Sequence, residues 1–261
     1  MQIELKIIPA TLLNNYVNLF NNAVEQDFYS LQESEISTAT FNFNHSVAAV
    51  FSSRIEGEII TLDEFIKHRI QHVEFQPDYT RKIDDLYHAY QFATENPLTA
   101  ENFKMAHGLL TKNILQPNQQ GTFRTGNMYV LTESGKIEYV AAAPHLVNEH
   151  VGFLFDDITK LLQADLSFAE VLYFASMLHL VFVKIHPFND GNGRASRLLE
   201  KWFLAEKLGS KAWFIESERY YHDNYDMYFA NIRKLGLEYE QLNYLQADTF
   251  ILMLQKSIST K

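Results

Sequence analysis

Twelve consecutive residues, His186-Pro187-Phe188-Asn189-Asp190-Gly191-Asn192-Gly193-Arg194-Ala195-Ser196-Arg197, gather an imidazole, a carboxylate, two glycines and two guanidiniums. Gly191 and Gly193 let the backbone approach a ligand closely, and a helix opening there would present free N–H groups to an anion. Arg194 and Arg197 are three apart and fall on neighbouring positions of one helix face. Two guanidiniums beside a helix N-terminus make a polyphosphate cradle. Asp190 is a hard oxygen ligand of the kind that holds Mg²⁺ against phosphates. His186, just before the cradle, is placed to take the proton of a hydroxyl. The plain alternative is a surface loop with incidental charges; the density of chemistry-bearing residues in one stretch argues against it.

These residues need elements to hold them. Val171–Ile185 is the most apolar run; His179 and Lys184 interrupt it, and it is too short to span a bilayer comfortably, so it reads as a buried core helix feeding the motif. A helix through Arg194–Leu208 follows, stopped by Gly209. Upstream, Leu12, Tyr16, Leu19, Phe20 and Ala23 suggest one amphipathic helix. A second helix runs from about His45 to Glu56, with Gly57 as its stop. Thr61 and Glu64 form a capping box. Further helices are expected over Tyr79–Glu95, from Thr99 as N-cap through Leu110, and over Val147–Gln163. Tyr129-Val130-Leu131 and Ile137-Glu138-Tyr139-Val140 are short β-prone runs about Ser134-Gly135, which predicts one hairpin. Tyr220 to Ser257 reads as two more helices. His107 and His179 read as hydrogen-bonded core histidines.

The chain has 261 residues and a formal net charge of −10. The acidic balance repels nucleic-acid backbones, so no nucleic-acid partner is expected, although one cationic pocket is still allowed. The absence of cysteine excludes disulfides, thiolate catalysis and zinc–thiolate sites. The first residues, Met1 to Lys6, show no signal-peptide pattern, and a cytoplasmic, non-membrane protein is expected.

The twelve-residue segment matches the Fic (Fido) family signature, His-x-Phe-x-Asp/Glu-Gly-Asn-Gly-Arg-x-x-Arg, at every defined position. The resemblance extends over roughly Thr99 to Leu235. It implies an all-α fold: a Fic-type helical core with one β-hairpin flap, plus N- and C-terminal helical extensions, divided as 1–98, 99–235 and 236–261. It also implies ATP as donor and Mg²⁺ as cofactor. By the resemblance His186 is the base and Asp190 holds Mg²⁺. Asn192 and the backbone of Gly191 and Gly193 hold the α- and β-phosphates, and Arg194 and Arg197 the outer ones. The hairpin resembles the family's flap, whose edge (Tyr129, Val130, Leu131, Tyr139) would dock an extended target segment. Gly121-Thr122-Phe123-Arg124 is also similar to the family.

Ser52-Ser53-Arg54-Ile55-Glu56-Gly57 resembles the family's inhibitory pattern, Ser/Thr-x-x-x-Glu-Gly/Asn, in the class that bears it on an N-terminal helix, here about residues 45–57. Ser52 and Glu56 share a helix face, and Glu56 could pair with Arg197 and withhold it from the γ-phosphate. The plain alternative is an exposed helix-end glutamate. Tyr220, Tyr221, Tyr225 and Tyr228 offer aromatic walls for adenine, Tyr221 foremost, against ordinary core packing. The expectation is an autoinhibited protein adenylyltransferase acting on a Ser, Thr or Tyr hydroxyl of a target protein or of itself. AMP removal, transfer of another nucleotide or phosphate-containing group, and a non-catalytic nucleotide-sensing module are the alternatives. The target is not legible, and the oligomeric state, a homo-oligomer included, is open.

Overall fold

The computed structural model of the chain describes residues 3–38, 41–131, 135 and 137–259. Twelve α-helices, three short 3-10 helices and one hairpin account for the regular structure among them. The elements are α1 (Leu13–Asn18), α2 (Ala23–Ser30), α3 (Phe43–Ile55), α4 (Leu62–Gln71), α5 (Pro77–Glu95) and α6 (Ala100–Leu110), then β1 (Tyr129–Leu131) and β2 (Ile137–Val140). They continue with α7 (Pro144–Gln163), α8 (Phe168–Ile185), α9 (Asn192–Leu208), α10 (Ser217–Asp223), α11 (Tyr225–Lys234) and α12 (Asp248–Ser259). The fold is mostly helical with a single small antiparallel hairpin, as the resemblance implied.

Helix α8 is apolar on every face and correspondingly buried in the middle of the protein. It is long and apolar enough to cross a membrane, but its sides are covered by α1, α7, α9 and α12. A Ser167/Glu170 capping box starts it. Helix α9 folds back against α8, so the six residues between them are fixed from both sides. Helix α3 lies against α5, α9 and α10. Its start is fixed by the Asn42 side chain, which accepts the His45 N–H at 2.9 Å. Gly57, at φ +93°, lets the chain turn directly after Glu56. The predicted Thr61/Glu64 box and the Thr99 cap are both formed.

In two places the elements differ from those expected. The single helix expected from Leu12 to Ala23 is two short ones. Asn21 turns its side-chain oxygen onto the Ala23 N–H at 3.0 Å, the local competition by which asparagine interrupts helices, and Leu19 is left exposed in the break. The tail holds three helices rather than two: the chain bends at Asn224, whose Nδ2 donates to Tyr220 O, and α12 packs on α2 and α8.

The hairpin pairs Tyr129 with Val140 and Val130 with Tyr139, with a bulge before the Leu131–Ile137 pair. Ser134, expected in its turn, lies outside the described residues. Strand β2 is tied to the chain after α11 by Val140 N–H on Leu237 O at 2.8 Å, and to α11 itself by the Arg233–Glu138 ion pair at 2.5 Å.

Candidate active site

Helix α8 ends in a residue that bends its own backbone. His186 adopts φ +52°, with its N–H still on Phe182 O, and so turns the chain out of the helix. For a residue with a Cβ this left-handed conformation costs about 1–2 kcal/mol. The neighbours that stabilise it are identifiable. Buried Arg124 donates from Nε to His186 O at 2.7 Å, from Nη2 to Ala142 O and Ile185 O, and from Nη1 to Gly126 O. Its own N–H is on Pro187 O. Arg124 therefore clamps the motif to the segment entering the hairpin, a role that the resemblance of residues 121–124 did not specify.

Phe188 is buried, with the His107 ring stacked on it at 3.5 Å and 11°. His107 Nδ1 accepts the Gly121 N–H, which leaves Nε2–H to donate to Asp190 O at 2.9 Å. Burial pushes this imidazole down to about 4, so the neutral tautomer that both bonds require is the stable one. Gly191 has φ +78°, and a Cβ there would lie 2.7 Å from Thr111 Cγ2. Asn192 accepts the Phe188 N–H and donates to Phe188 O, both at 2.9 Å. Its side chain is thus a clasp within the loop, leaving its backbone N–H as the group it offers a ligand.

His186 Nδ1 lies 3.2 Å from Val183 O and 3.1 Å from Tyr139 Oη, while Tyr139 Oη donates to Val183 O at 3.0 Å. A carbonyl cannot donate, so Nδ1 carries the proton and Nε2 holds the lone pair. Burial, helped by Arg124, pushes His186 down to about 4 against the opposing pull of Val183 O and Glu56. The ring is a neutral proton acceptor at physiological pH. Tyr139, expected on the docking face, points inward and is buried. The alternation of a strand places it under the flap, where Lys184 Nζ sits 4.0 Å from its ring centre. Tyr129 and Leu131 are exposed, and Val130 lines the site.

Arg197 is buried and meets α3. Its Nε donates to Ser52 Oγ at 2.8 Å; Nη2 donates to Ser52 O at 2.9 Å and to Glu56 Oε1 at 2.6 Å. The Glu56 carboxylate also presses on the start of α9: a Cβ on Gly193 would lie 2.3 Å from Glu56 Oε1. Burial raises the Glu56 carboxyl, but Arg197 and Arg194 more than offset it, and it titrates below the usual carboxylate range. Arg194 behaves differently from its partner. It is absent from the cavity lining; its Nη2 meets Glu58 Oε1 at 2.5 Å, and Lys82 Nζ lies 3.5 Å from the same oxygen. Glu58 carries no mark in the sequence beyond its position two residues after Glu56.

His186, Glu56, Gly193, Arg197, Tyr139 and Tyr228 face one cavity of about 90 Å³. An adjoining groove of about 620 Å³ shares Glu56, Val130, Glu138 and Phe229 with it and is also lined by Tyr225 and Arg54. Glu56 stands at the border of the two. Tyr221, the foremost candidate for an adenine wall, is absent from both: it is fully buried, its hydroxyl donates to Glu200, and its ring packs on Tyr228 and Phe250. The α10–α11 bend, invisible in the residue pattern, puts Tyr225 and Phe229 at the groove instead.

Asp190 is exposed, with Oδ1 accepting the Gly191 N–H at 2.6 Å. Among the described residues no three His, Asp, Glu or Cys side chains gather around a common point. A lone exposed carboxylate suits Mg²⁺, which keeps waters and substrate phosphates as its other ligands, and does not suit a metal that needs an all-protein cage.

Residues 97–204 match the model of the Fic/DOC family. This stretch includes His107, Arg124 and the whole motif; Ser52, Glu56 and Tyr228 lie outside it. No curated protein sequence matches the chain. Among solved structures, a Fic family protein from Desulfovibrio desulfuricans superposes with a TM-score of 0.71 at 18% identity, covering 96% of this chain and 68% of that one. A Fic domain containing signaling protein from Bacteroides thetaiotaomicron gives 0.65 at 18%, covering 91% and 93%. Fic-1 from C. elegans gives 0.66 at 16%, covering 95% and 69%. At these identities the likeness is one of fold.

Proposed function

We propose that this protein is a cytoplasmic protein adenylyltransferase held inactive by its own Glu56, transferring AMP from ATP to a Ser, Thr or Tyr hydroxyl of a target protein or of itself. The observation that carries the reading is one cavity in which a neutral imidazole with its Nε2 lone pair faces a glycine-lined helix start and a buried guanidinium, with a carboxylate seated on both. A site that holds one anion in this way is built for anions.

In the transfer step the acceptor oxygen forms a bond to Pα as the bond from Pα to the bridging oxygen breaks. Pyrophosphate leaves with that electron pair, and the hydroxyl proton passes to His186 Nε2. His186 is prepared for this by Val183 O and Tyr139, which hold the proton on Nδ1. The backbone N–H groups at the start of α9 and the Arg197 guanidinium stabilise the negative charge on the polyphosphate. Asp190 would hold a Mg²⁺, whose chemistry when bound is to neutralise and orient the phosphates. The outer edge of β1, with Tyr129 and Leu131 exposed, would receive the target segment by strand addition. Glu56 is seated on Arg197 and over Gly193, so it must leave before the phosphates of ATP can occupy the cradle.

The reaction class is tested with ATP labelled at either Pα or Pγ, Mg²⁺ and the Glu56→Gly protein. Label from Pα and not from Pγ should appear on protein. Transfer of the Pγ label, or of neither, contradicts the proposal.

A further inference from the structure

Arg197 is gripped from two sides. Three of its contacts come from α3 and its C-cap: two to Ser52 and one to Glu56. Ser52 lies one turn before Glu56, the residue that caps α3, so a movement of this helix end would release all three together. The fourth comes from α11, where Tyr228 Oη accepts from Arg197 Nη1 at 3.4 Å. Behind Tyr228 stands a buried relay. Tyr228 Oη is 2.8 Å from His179 Nε2, His179 Nδ1 is 2.9 Å from Glu200 Oε2, and the Tyr221 hydroxyl donates to the same carboxylate at 2.9 Å.

The donors can be assigned in one direction. Glu200 accepts, so His179 Nδ1 carries hydrogen. Nε2 then accepts the Tyr228 O–H, and the Tyr228 oxygen is left facing the guanidinium as an acceptor. The reverse assignment would bring two N–H donors to the Tyr228 oxygen and leave its own hydrogen without an acceptor. Burial pushes Tyr228 up to about 12, although Arg197 pulls the other way, so the hydroxyl keeps its proton. His179, Glu200 and Tyr228 sit on α8, α9 and α11, and none of them is on α3. Phe250 packs against both His179 and Tyr228, so shape alone would be served equally well by an apolar ring at position 228.

We infer that Tyr228, oriented by His179 and Glu200, is the positioning residue that keeps Arg197 at the phosphate cradle once α3 withdraws Glu56. Glu56 withholds Arg197 from ATP, and Tyr228 prevents the freed guanidinium from collapsing elsewhere. This rests on the adenylyltransferase reading, which supplies the anion that Arg197 holds.

The test is a double-mutant cycle read as Mg·ATP affinity by titration calorimetry. It uses Glu56→Gly protein alone and with Tyr228→Phe, Arg197→Ala, or both. Tyr228→Phe should weaken ATP binding roughly threefold to tenfold, the net effect of one ordinary hydrogen bond, as befits a 3.4 Å contact. In the Arg197→Ala background the same change should have no further effect. A folding defect, or direct contact of Tyr228 with nucleotide, would persist in that background and overturn the inference. So would unchanged affinity of Glu56→Gly/Tyr228→Phe. If Glu56→Gly protein itself binds no ATP, the adenylyltransferase reading fails first and the inference goes with it.

Discussion

At His186 the backbone and the ring are controlled by different partners. Arg124 fixes the turn, and Val183 O with Tyr139 fixes the proton on Nδ1. Removing the ring should therefore affect the proton transfer and little else. In the Glu56→Gly background, His186→Ala is expected to lower transfer by ~10²-fold or more while ATP affinity stays near that of Glu56→Gly alone, measured by labelling rate and titration side by side. Equal labelling rates would show that another group is the base. Tyr139→Phe tests the tautomer more gently, since Val183 O still holds Nδ1–H. The rate should fall roughly threefold to tenfold with the ATP KM unchanged. A change in KM alone would instead place Tyr139 against the nucleotide.

At the scale of elements, the meeting of α3 with α9 decides how the cradle is filled. Glu58 accepts from Arg194 where both are buried, while Glu58 Oε2 and Arg194 Nε have no partner among the described residues. Glu58→Ala would remove the ion-pair partner of buried Arg194 and should cost about 3 kcal/mol, seen as a clear loss of Tm. An unchanged Tm would mean that this pair does not fasten the segment after α3 to α9. The α8–loop–α9 frame was legible in the sequence because an apolar run, a glycine-marked turn and an arginine-bearing helix are local signals. The Glu56–Arg197 pairing was legible because helical spacing put Ser52 and Glu56 on one face. Three things were not. The inward Tyr139 depends on hairpin register, and Glu58 depends on the path after Gly57. The removal of Tyr221 from the adenine site depends on a bend at Asn224 that no periodicity announces. Each was set by tertiary packing.

Across the whole molecule, burial leaves several histidines neutral. His45 is pushed down to about 3, and His107 and His186 to about 4, each chiefly by desolvation. Their folded values lie below the unfolded value, so the unfolded chain binds more protons as pH falls below about 6.5, and stability drops with it. Each could contribute roughly 2 kcal/mol of loss by pH 5. Tm should therefore fall steadily between pH 7 and pH 5; a flat profile would show that these rings are protonated in the folded state.

Autoinhibition turns on the carboxylate that occupies the cradle. Glu56 sits on Arg197 and Gly193 at the border of cavity and groove, so removing its charge should free the guanidinium and open the path to Pα. The direct measurement is transfer of label from Pα-labelled ATP by wild type, Glu56→Gly and Glu56→Gln under identical Mg²⁺. Glu56→Gln matters because it keeps the shape of the side chain and excludes mere loosening of α3. Both variants should label faster than wild type, and Arg197→Ala should abolish the gain. If neither variant exceeds wild type, Glu56 does not inhibit this site.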